Sequence, residues 1–368
     1  MPPLYMDIHS VPGVRSKDVA EAHRKDLLHQ HEFECNCMTY WIDEERETIF
    51  CLIEASNKDA VKNMHKKAHG LIPHKIIEVS STIVQSFLGR IYDPDDAVVE
   101  NGVKIFTNPG FRIIVVSKSC DHAMLQHCLG AAHADQLISR QDEIFRKNIS
   151  LYNGSEAEHS GDGFVISFES ASQAVSFSLK VLNDLSDKDL DQLDLRIAVN
   201  GGEPIETSNI LFGDAIQFGN HLCFISGKKR LAFSSQVRDL VSKDVLKNQK
   251  AKYFVLPQSD EDVIRQLFSV MEENYHDANF ELSEFSKAMA MSNSQLYRRT
   301  TMLTGLSTNN LLREFRLGKA IALLKTQRFS ISQISTDTGF SSPSYFTKCF
   351  KERFGLRPME YIDLLRMS

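Results

Sequence analysis

Histidines are concentrated near the start of this sequence, where seven of the 13 lie within the first 74 residues. Four of them form a candidate metal site. His65 and His69 are four residues apart, so on a helix they share one face and could bind the same ion. His9 lies on the first predicted strand, and His23 lies on the sheet-packing face of the first predicted helix. Because imidazole suits Ni, Zn or Cu, these residues predict a site for a divalent transition metal, with nickel as one of three that fit.

Other polar residues of this segment allow two explanations of the histidines. Asp7 and Glu21 could complete a metal site with carboxylate ligands. The alternative is packing, because a single histidine on an inner face is usually a hydrogen-bonded core residue. Cys35 and Cys37 have the wrong spacing for a zinc knuckle and are interpreted as strand residues, while Cys51 is expected in the core.

An internal repeat marks the last hundred residues. Residues 282–286 match residues 331–335, 49 positions later, and further matches follow at an offset of 50. Each copy predicts a short apolar helix, a tight turn and a second helix with one apolar stripe. The second helix places polar and basic side chains near its start, as reading of the DNA major groove requires.

Specific motifs accompany this repeat. They are residues 316–317, 320–324, 331–335, 339–340, 344–346, 350–351, 354–355 and 357–361. The region, about 264–365, resembles the AraC/XylS-type transcription regulators, with departures at Thr300, where the family more often has an aromatic residue, and at Ser335, where it usually has alanine. The resemblance implies two recognition helices in successive major grooves, joined by a long helix over 308–325.

The expected contacts with double-stranded DNA lie on these two recognition helices. They are Asn293, Gln295, Arg298 and Arg299 in the first, and Ser342, Ser344, Thr347, Lys348 and Lys351 in the second. Arginine can bind guanine with two hydrogen bonds, whereas lysine more commonly contacts phosphate. The alternative for each basic residue is an ordinary solvated charge. The aromatic residues Tyr345, Phe346, Phe350 and Phe354 are assigned to the core.

The charge distribution agrees with a basic DNA-facing module. The whole chain has a formal net charge of −6, but residues 285–368 contain 13 Lys/Arg against 5 Asp/Glu. Their net charge of +8 leaves −14 for the remaining 284 residues. This asymmetry indicates acidic domains with another role attached to a basic one.

A Gly-Asp-Gly turn at residues 161–163 precedes an apolar strand in the middle of the chain. With residues 195–203, 211–216 and 231–237, it resembles the class III adenylate/guanylate cyclase fold over about 111–256. The resemblance implies an α/β domain, a homodimer and a cleft that could hold a small ligand. Catalysis there needs two carboxylates that hold metal ions.

Most of the expected catalytic groups of such a cyclase are replaced. Asp162 fits the second carboxylate position, but Lys118 stands at the first, where its charge would repel a metal ion. Gln217 and His221 replace an asparagine and an arginine, and Glu158 replaces a lysine. The sequence therefore predicts no enzyme activity. The alternative is a nucleotide cyclase, or a nucleotide-binding protein, fused to a DNA-binding domain.

The elements that position these residues fall into three groups. Residues 1–91 predict the order strand–helix–strand–strand–helix–strand of a ferredoxin-like domain, with a last strand over 75–83. Motifs at residues 6–9, 21–23, 40–41, 50–55 and 65–70 resemble a ferredoxin-like family that includes a nickel-binding bacterial protein. Residues 92–110 predict a linker. Strands and helices alternate over 111–257, with one long helix over 121–150, and seven helices follow over 258–368.

The sequence thus predicts a multidomain protein with a ferredoxin-like α+β domain, a cyclase-like α/β domain and an all-α double helix-turn-helix domain. No apolar run approaches the roughly 20 residues of a membrane-spanning helix. Seven cysteines spread over the chain do not resemble a disulfide framework. These features predict a cytoplasmic regulator that is controlled by a metal ion or small molecule.

Overall fold

The computed structural model describes residues 2–95, 97–100, 102–186, 189–226, 231–247 and 253–367. Asp96 and Asn101, which belong to the expected linker, lie outside these ranges. Within them, no helix is both long enough and apolar enough to cross a membrane.

The N-terminal segment folds into one four-stranded antiparallel sheet with two helices. Its elements are β1 (Leu4–Ser10), α1 (Ser16–His29), β2 (Cys35–Asp43), β3 (Thr48–Ala55), α2 (Lys58–Ala68) and β4 (Lys75–Val79). The strand order is β2-β3-β1-β4, so β1 pairs with both β3 and β4. This element order is the one that the sequence predicts for a ferredoxin-like unit.

The two faces of this sheet have different partners. Because side chains alternate along a strand, one face of β1 points toward α1 and α2. The other face is apolar, with Met6, Phe50 and Leu52 fully buried in a core that is shared with the middle of the chain. Helix α3 (Ser81–Leu88) contributes Phe87 to the same core, and the Phe87 ring lies 4.9 Å from that of Phe212.

The structure of this region differs in two details from the expectations. The strand predicted over 75–83 ends at Val79, because the Ser80 hydroxyl accepts a hydrogen bond from the Ile83 amide and caps α3 instead. The predicted linker also contains structure, namely a hairpin of β5 (Val98–Glu100) and β6 (Val103–Ile105). Phe106, directly after it, is buried and stacks on Tyr40 at 4.1 Å between ring centroids.

The middle segment contains a six-stranded sheet with helices on both faces. Its first elements are β7 (Arg112–Lys118), α4 (His122–Leu129), α5 (Ala131–Leu151), β8 (Ser155–Ser160), β9 (Gly163–Phe168) and α6 (Ala171–Asp184). Its later elements are β10 (Arg196–Gly202), α7 (Gly213–Ile225), β11 (Leu231–Phe233), α8 (Ser235–Leu240), α9 (Lys243–Leu246) and β12 (Tyr253–Val255). The strand order is β12-β11-β10-β7-β9-β8. Helices α5 and α6 pack in the core on one face, and α7 packs in the core on the other.

The single helix predicted over 121–150 is divided into α4 and α5. Gly130, between them, has φ of +82°, a value that glycine adopts at little cost and that no helix continues through. As a result α4 is a separate short helix whose direction is independent of α5.

The C-terminal segment is wholly helical in its described part. Its helices are α10 (Gln258–Asn274), α11 (Leu282–Ala288), α12 (Asn293–Thr304), α13 (Thr308–Thr326), α14 (Ile331–Asp337), α15 (Pro343–Phe354) and α16 (Pro358–Met367). These are the seven predicted helices, with ends that differ by at most a few residues. We call α11–α12 the first unit and α14–α15 the second unit, with α13 joining them.

The two units belong to different hydrophobic cores. Leu296 of the first unit shares a core with Phe268 of α10 and Phe218 of α7, so it is continuous with the middle sheet. Phe346 and Phe350 of the second unit lie in another core, which contains Ala123 and Met124 of α4.

Candidate metal centre and nucleic-acid interface

A cluster of charged and imidazole side chains is buried between the N-terminal sheet and its two helices. Asp7 and His9 are alternate residues of β1, so both point toward the helices. Asp26 comes from α1, while His65 lies on α2 and His69 directly follows that helix. His65 is completely buried, and Asp7 and Asp26 are 1% and 3% exposed.

His65 is held between two carboxylates. Its Nε2 atom is 2.9 Å from Asp7 Oδ2, and its Nδ1 atom is 3.1 Å from Asp26 Oδ1. His69 Nε2 is also 3.1 Å from Asp26 Oδ1, and His9 Nε2 is 3.3 Å from Asp7 Oδ1. Without an ion, these contacts describe an ion-paired buried imidazolium.

The pKa shifts agree with that description. Burial alone would lower the pKa of His65, but the charges and hydrogen bonds of Asp7 and Asp26 raise it to about 10. The same pairs lower the pKa of Asp7 and of Asp26, although burial acts in the opposite direction. A metal ion that binds here would therefore have to replace the His65 proton.

The donor atoms also fit a divalent transition metal. Atoms of Asp7, His9, Cys51 and His65 all lie within 4.8 Å of one another, and those of Asp26, His65 and His69 form a second group of the same kind. The His9 Nδ1 atom is buried without a hydrogen-bond partner. A cavity of about 20 Å³ adjoins these residues, which is room for one water molecule or one ion. Imidazole, carboxylate and thiol ligands suit nickel, zinc or copper.

The structure brings together three of the four predicted histidines. His23 borders the same cavity, but it lies outside both donor groups, with its Nε2 atom 3.7 Å from Asp93 Oδ1. Glu21 is turned outward and forms an ion pair with Arg24. Asp26 and Cys51 were missed. Cys51 was assigned to the core, but it pairs across the strands with Asp7, a register that the strand sequences alone do not fix.

The two units at the C-terminus present their second helices in the same way. Ser292 and Ser342 each cap a helix, α12 and α15, by accepting a hydrogen bond from the amide three residues later. Leu296 and Phe346 are fully buried at equivalent positions. The predicted contacts that are exposed on these helices are Asn293, Gln295, Arg298, Ser344, Lys348 and Lys351.

Some predicted contacts already have partners within the protein. Arg299 is half-buried and forms an ion pair with Asp260 of α10 at 3.1 Å. Ser342 is engaged as the cap of α15, and Thr347 is half-buried. Lys348 has a weak pair with Glu352 at 3.9 Å. Contact with DNA remains a prediction for the whole set.

The assignment of aromatic residues to the core needs correction. Phe346 and Phe350 are buried and Phe354 is half-buried, but Tyr345 is 46% exposed. Tyr297, on α12, is 52% exposed and was not predicted as a contact. The exposure of Tyr297 could have been expected from the sequence, because it lies one residue before Arg298 and outside the apolar stripe of α12.

The cleft of the middle sheet has a charge pattern unlike a metal site. It measures about 130 Å³ and is lined by Lys118, Glu158 and Asn220. Asp162 has Lys118 at 3.9 Å, and burial, which would raise the pKa of Asp162, is outweighed by that charge and by Lys325. His221 lies outside the cleft lining and stacks on Phe268 of α10 at 3.9 Å.

Comparison with known proteins finds family matches in two regions of the chain. Residues 285–363 match the family described as "Helix-turn-helix domain". This region is an AraC-type helix-turn-helix domain. Residues 5–79 match the family described as "Nickel responsive protein SCO4226-like". In the AraC-type domain, α12 and α15 are the second helices of the two units.

Two curated relatives share the AraC-type region. "Histidine kinase P4" of Formosa agariphila is 35% identical over 102 residues, which are 28% of this chain and 7% of that protein. The HTH-type transcriptional activator RhaS of Mannheimia succiniciproducens is 30% identical over 96 residues, which are 26% of this chain and 35% of that protein. This chain thus spans about a third or less of the length of these relatives.

Two solved structures resemble other parts of the chain. SCO4226 from Streptomyces coelicolor A3(2) is 31% identical and covers 21% of this chain and 94% of its own, with a TM-score of 0.20. A bacterial light-regulated adenylyl cyclase is 16% identical and covers 65% of this chain and 87% of its own, with a TM-score of 0.32.

Proposed function

We propose that this chain is a sequence-specific DNA-binding transcription regulator. The observation that carries the proposal is the AraC-type domain, whose two second helices both expose polar and basic side chains over a buried apolar stripe. The domains proposed are 1–91, 111–257 and 258–368, with 92–110 as the connection. The protein would act on double-stranded DNA in the cytoplasm as a homodimer.

The contacts proposed for DNA divide by chemistry. Arg298 on α12 is exposed and can offer a planar pair of donors to a guanine edge. Lys348 and Lys351 on α15 are exposed point charges that suit phosphates. Arg299 would first have to leave Asp260, so it is a weaker candidate than Arg298.

The test begins with DNA selected from a random duplex pool by the wild-type protein. Affinity for the selected duplex is then measured by fluorescence anisotropy. The double variant Arg298→Ala with Lys348→Ala should lose at least about tenfold in affinity, since one specific contact alone contributes about 1–3 kcal/mol. Lys243→Ala, an exposed lysine of α9, serves as the matched control. Unchanged binding by the double variant would overturn the site assignment.

We further propose that the N-terminal domain binds a divalent transition metal, with nickel as the first candidate. Asp7, His9, Cys51 and His65 would hold it, or Asp26 and His69 together with His65. The bound ion would supply positive charge in place of the His65 proton. It would tie β1 and β3 to α2 in the first arrangement, and α1 to α2 in the second. The match to a nickel-responsive family supports this proposal.

Metal binding is tested by plasma mass spectrometry of the purified protein and by calorimetric titration with Ni²⁺. His65→Ala removes the ligand that both sets share and should lower the affinity strongly. Asp26→Asn with His69→Ala should lower it only where the second set holds the ion, so this variant distinguishes the two sets. His29→Ala is the control, because His29 pairs with Glu32 outside the cluster. His23→Ala separates the predicted ligand set from the observed one, and retained binding is expected. Failure of the wild type to bind nickel, zinc or copper would end the proposal.

We infer that the middle domain is not a nucleotide cyclase. Two ammonium groups, those of Lys118 and Lys325, lie within 4 Å of the Asp162 carboxylate and would repel a divalent ion. Incubation with ATP or GTP and Mg²⁺ or Mn²⁺ tests this inference, and formation of a cyclic nucleotide would contradict it.

A further inference from the structure

The second unit of the AraC-type domain rests on the middle domain along helix α4. Ala123 and Met124 of α4 are buried in the core of the second unit, beside Tyr361 of α16. Helix α4 exists as a separate element because Gly130 divides it from α5. This short helix therefore belongs to the middle domain by sequence and to the second unit by packing.

A polar cluster closes the same contact. Lys325, in the last turn of α13, has its Nζ atom 2.8 Å from Asp121 Oδ2 and 3.8 Å from Asp162 Oδ2. The Tyr361 hydroxyl donates a hydrogen bond of 3.0 Å to the same Asp121 oxygen. We call Lys325, Asp121, Asp162 and Tyr361 the Lys325 cluster. This cluster connects α13 and α16 to two turns of the middle domain.

Asp121 has two separate tasks in this cluster. Its Oδ1 atom accepts a hydrogen bond from the Met124 amide at 3.3 Å and caps α4. Its Oδ2 atom accepts from Lys325 and Tyr361. The cap that starts α4 is thus the group that fixes α13 and α16.

The charges of the cluster are mutually satisfied. Partial burial would lower the pKa of Lys325, but Asp121 and Asp162 raise it above its usual value. The side chain of Asp121 is only 11% exposed, and that of Asp162 is 29% exposed. Paired charges in such positions favour one geometry over others more than they add stability.

The first unit meets the middle domain by different means. Leu296 of α12 shares a core with Phe218 of α7 and Phe268 of α10. Within this contact Arg265 of α10 lies over the Phe218 ring at 3.6 Å, and Phe268 stacks on His221. The middle domain therefore contacts both units at once. The exposed faces of α12 and α15 stay accessible in this arrangement, so the contact does not cover the residues proposed for DNA.

We propose that the middle domain is a brace that fixes the distance between the two recognition helices, with Lys325 as its positioning residue. This inference rests on the proposed DNA-binding function. The first unit is held by apolar packing and the second by α4 and the Lys325 cluster. A rigid pair of helices accepts only DNA sites at the matching separation. Loss of the cluster would let the second unit move on α13 and accept other separations.

The experiment compares DNA duplexes that differ only in spacing. The duplex selected by the wild-type protein is remade with its two half-sites one base pair further apart. The wild type should bind the altered duplex at least about tenfold more weakly. Lys325→Met should discriminate by no more than about threefold, and Lys325→Arg, which keeps the charge, should behave like the wild type. Asp121→Asn should resemble Lys325→Met, since an asparagine can still cap α4.

The matched control is Lys319→Met on the same helix. Lys319 forms an ion pair with Glu272 of α10 at 2.6 Å, and no ion pair between Lys319 and the middle domain occurs among the described residues. It should keep the wild-type discrimination. If the wild type selects no DNA, the proposed function itself fails. If Lys325→Met discriminates spacing as the wild type does, the brace is wrong. Tighter binding of both duplexes by Lys325→Met would also overturn it, because the cluster would then oppose DNA binding.

Discussion

The two helix-turn-helix units share a motif but differ in how they are anchored. The first is continuous with the middle domain through α7 and α10, in one large hydrophobic core. The second has its own core and meets the middle domain through α4 and the charged Lys325 cluster. Apolar packing tolerates little change of geometry without a large cost. The Lys325 cluster, in contrast, is partly exposed to water, so the contact of the second unit is the one that a single substitution can release.

The largest effect is expected from a substitution in the core of the first unit, and it tests whether the two cores unfold separately. Phe268→Ala should lower the free energy of unfolding by about 3–5 kcal/mol, because it removes a ring that packs on His221, Phe224 and Phe315. Hydrogen exchange should rise in α7 and α12 together.

The counterpart in the second unit is Phe350→Ala, whose ring contacts Phe354 and Tyr361. A similar local cost is expected, but exchange should rise in α14–α16 while α7 stays protected. Loosening of α7 by Phe350→Ala would show that the two units are not anchored separately.

Acid should weaken the anchor of the first unit. Burial, together with the charges of Arg265 and Lys319, lowers the pKa of His221 to about 3. In the unfolded chain His221 has an ordinary histidine pKa near 6.5. As the pH falls below that value, His221 becomes protonated in the unfolded chain but stays neutral in the folded chain. Stability is therefore lost on acidification, by about 2 kcal/mol at pH 5. Denaturation of His221→Phe, which keeps a ring on Phe268, should lack this component.

The smallest effect is expected from removal of the equivalent N-cap serines of α12 and α15. Ser292→Ala and Ser342→Ala each remove the N-cap of the second helix of a unit and should cost about 1 kcal/mol. Residue-resolved hydrogen exchange should show fraying of α15 in the second variant alone, since α12 is held by the shared core. Equal fraying of both helices would remove the proposed difference between the units.

The sequence predicts local structure well and the cross-domain contacts poorly. The C-terminal helices follow from serine caps, apolar spacing and Gly305 and Gly355, which end α12 and α15 in the left-handed conformation. The ferredoxin-like order follows from alternating strands in the same way. These signals lie within a few residues of one another along the chain.

The candidate site needed information that spacing does not contain. Asp26 faces His65 from 39 positions away, and Cys51 reaches Asp7 only through the register of β1 with β3. The Lys325 cluster joins residues more than 150 positions apart. No local pattern marks such partners, since a lysine near a helix end is ordinary.

The apolar second face of the N-terminal sheet has a consequence for synthesis of the protein. The apolar side chains Met6, Phe50 and Leu52 have all been synthesised once β3 is made. The core that buries them also includes Phe212, which is made much later. At about 5–20 residues per second, a ribosome needs on the order of ten seconds to make the stretch between α3 and that residue. During this interval the nascent chain exposes an apolar surface, which makes it a substrate for chaperones. A messenger truncated within this stretch would yield an aggregating product, even though its ferredoxin-like elements are all present.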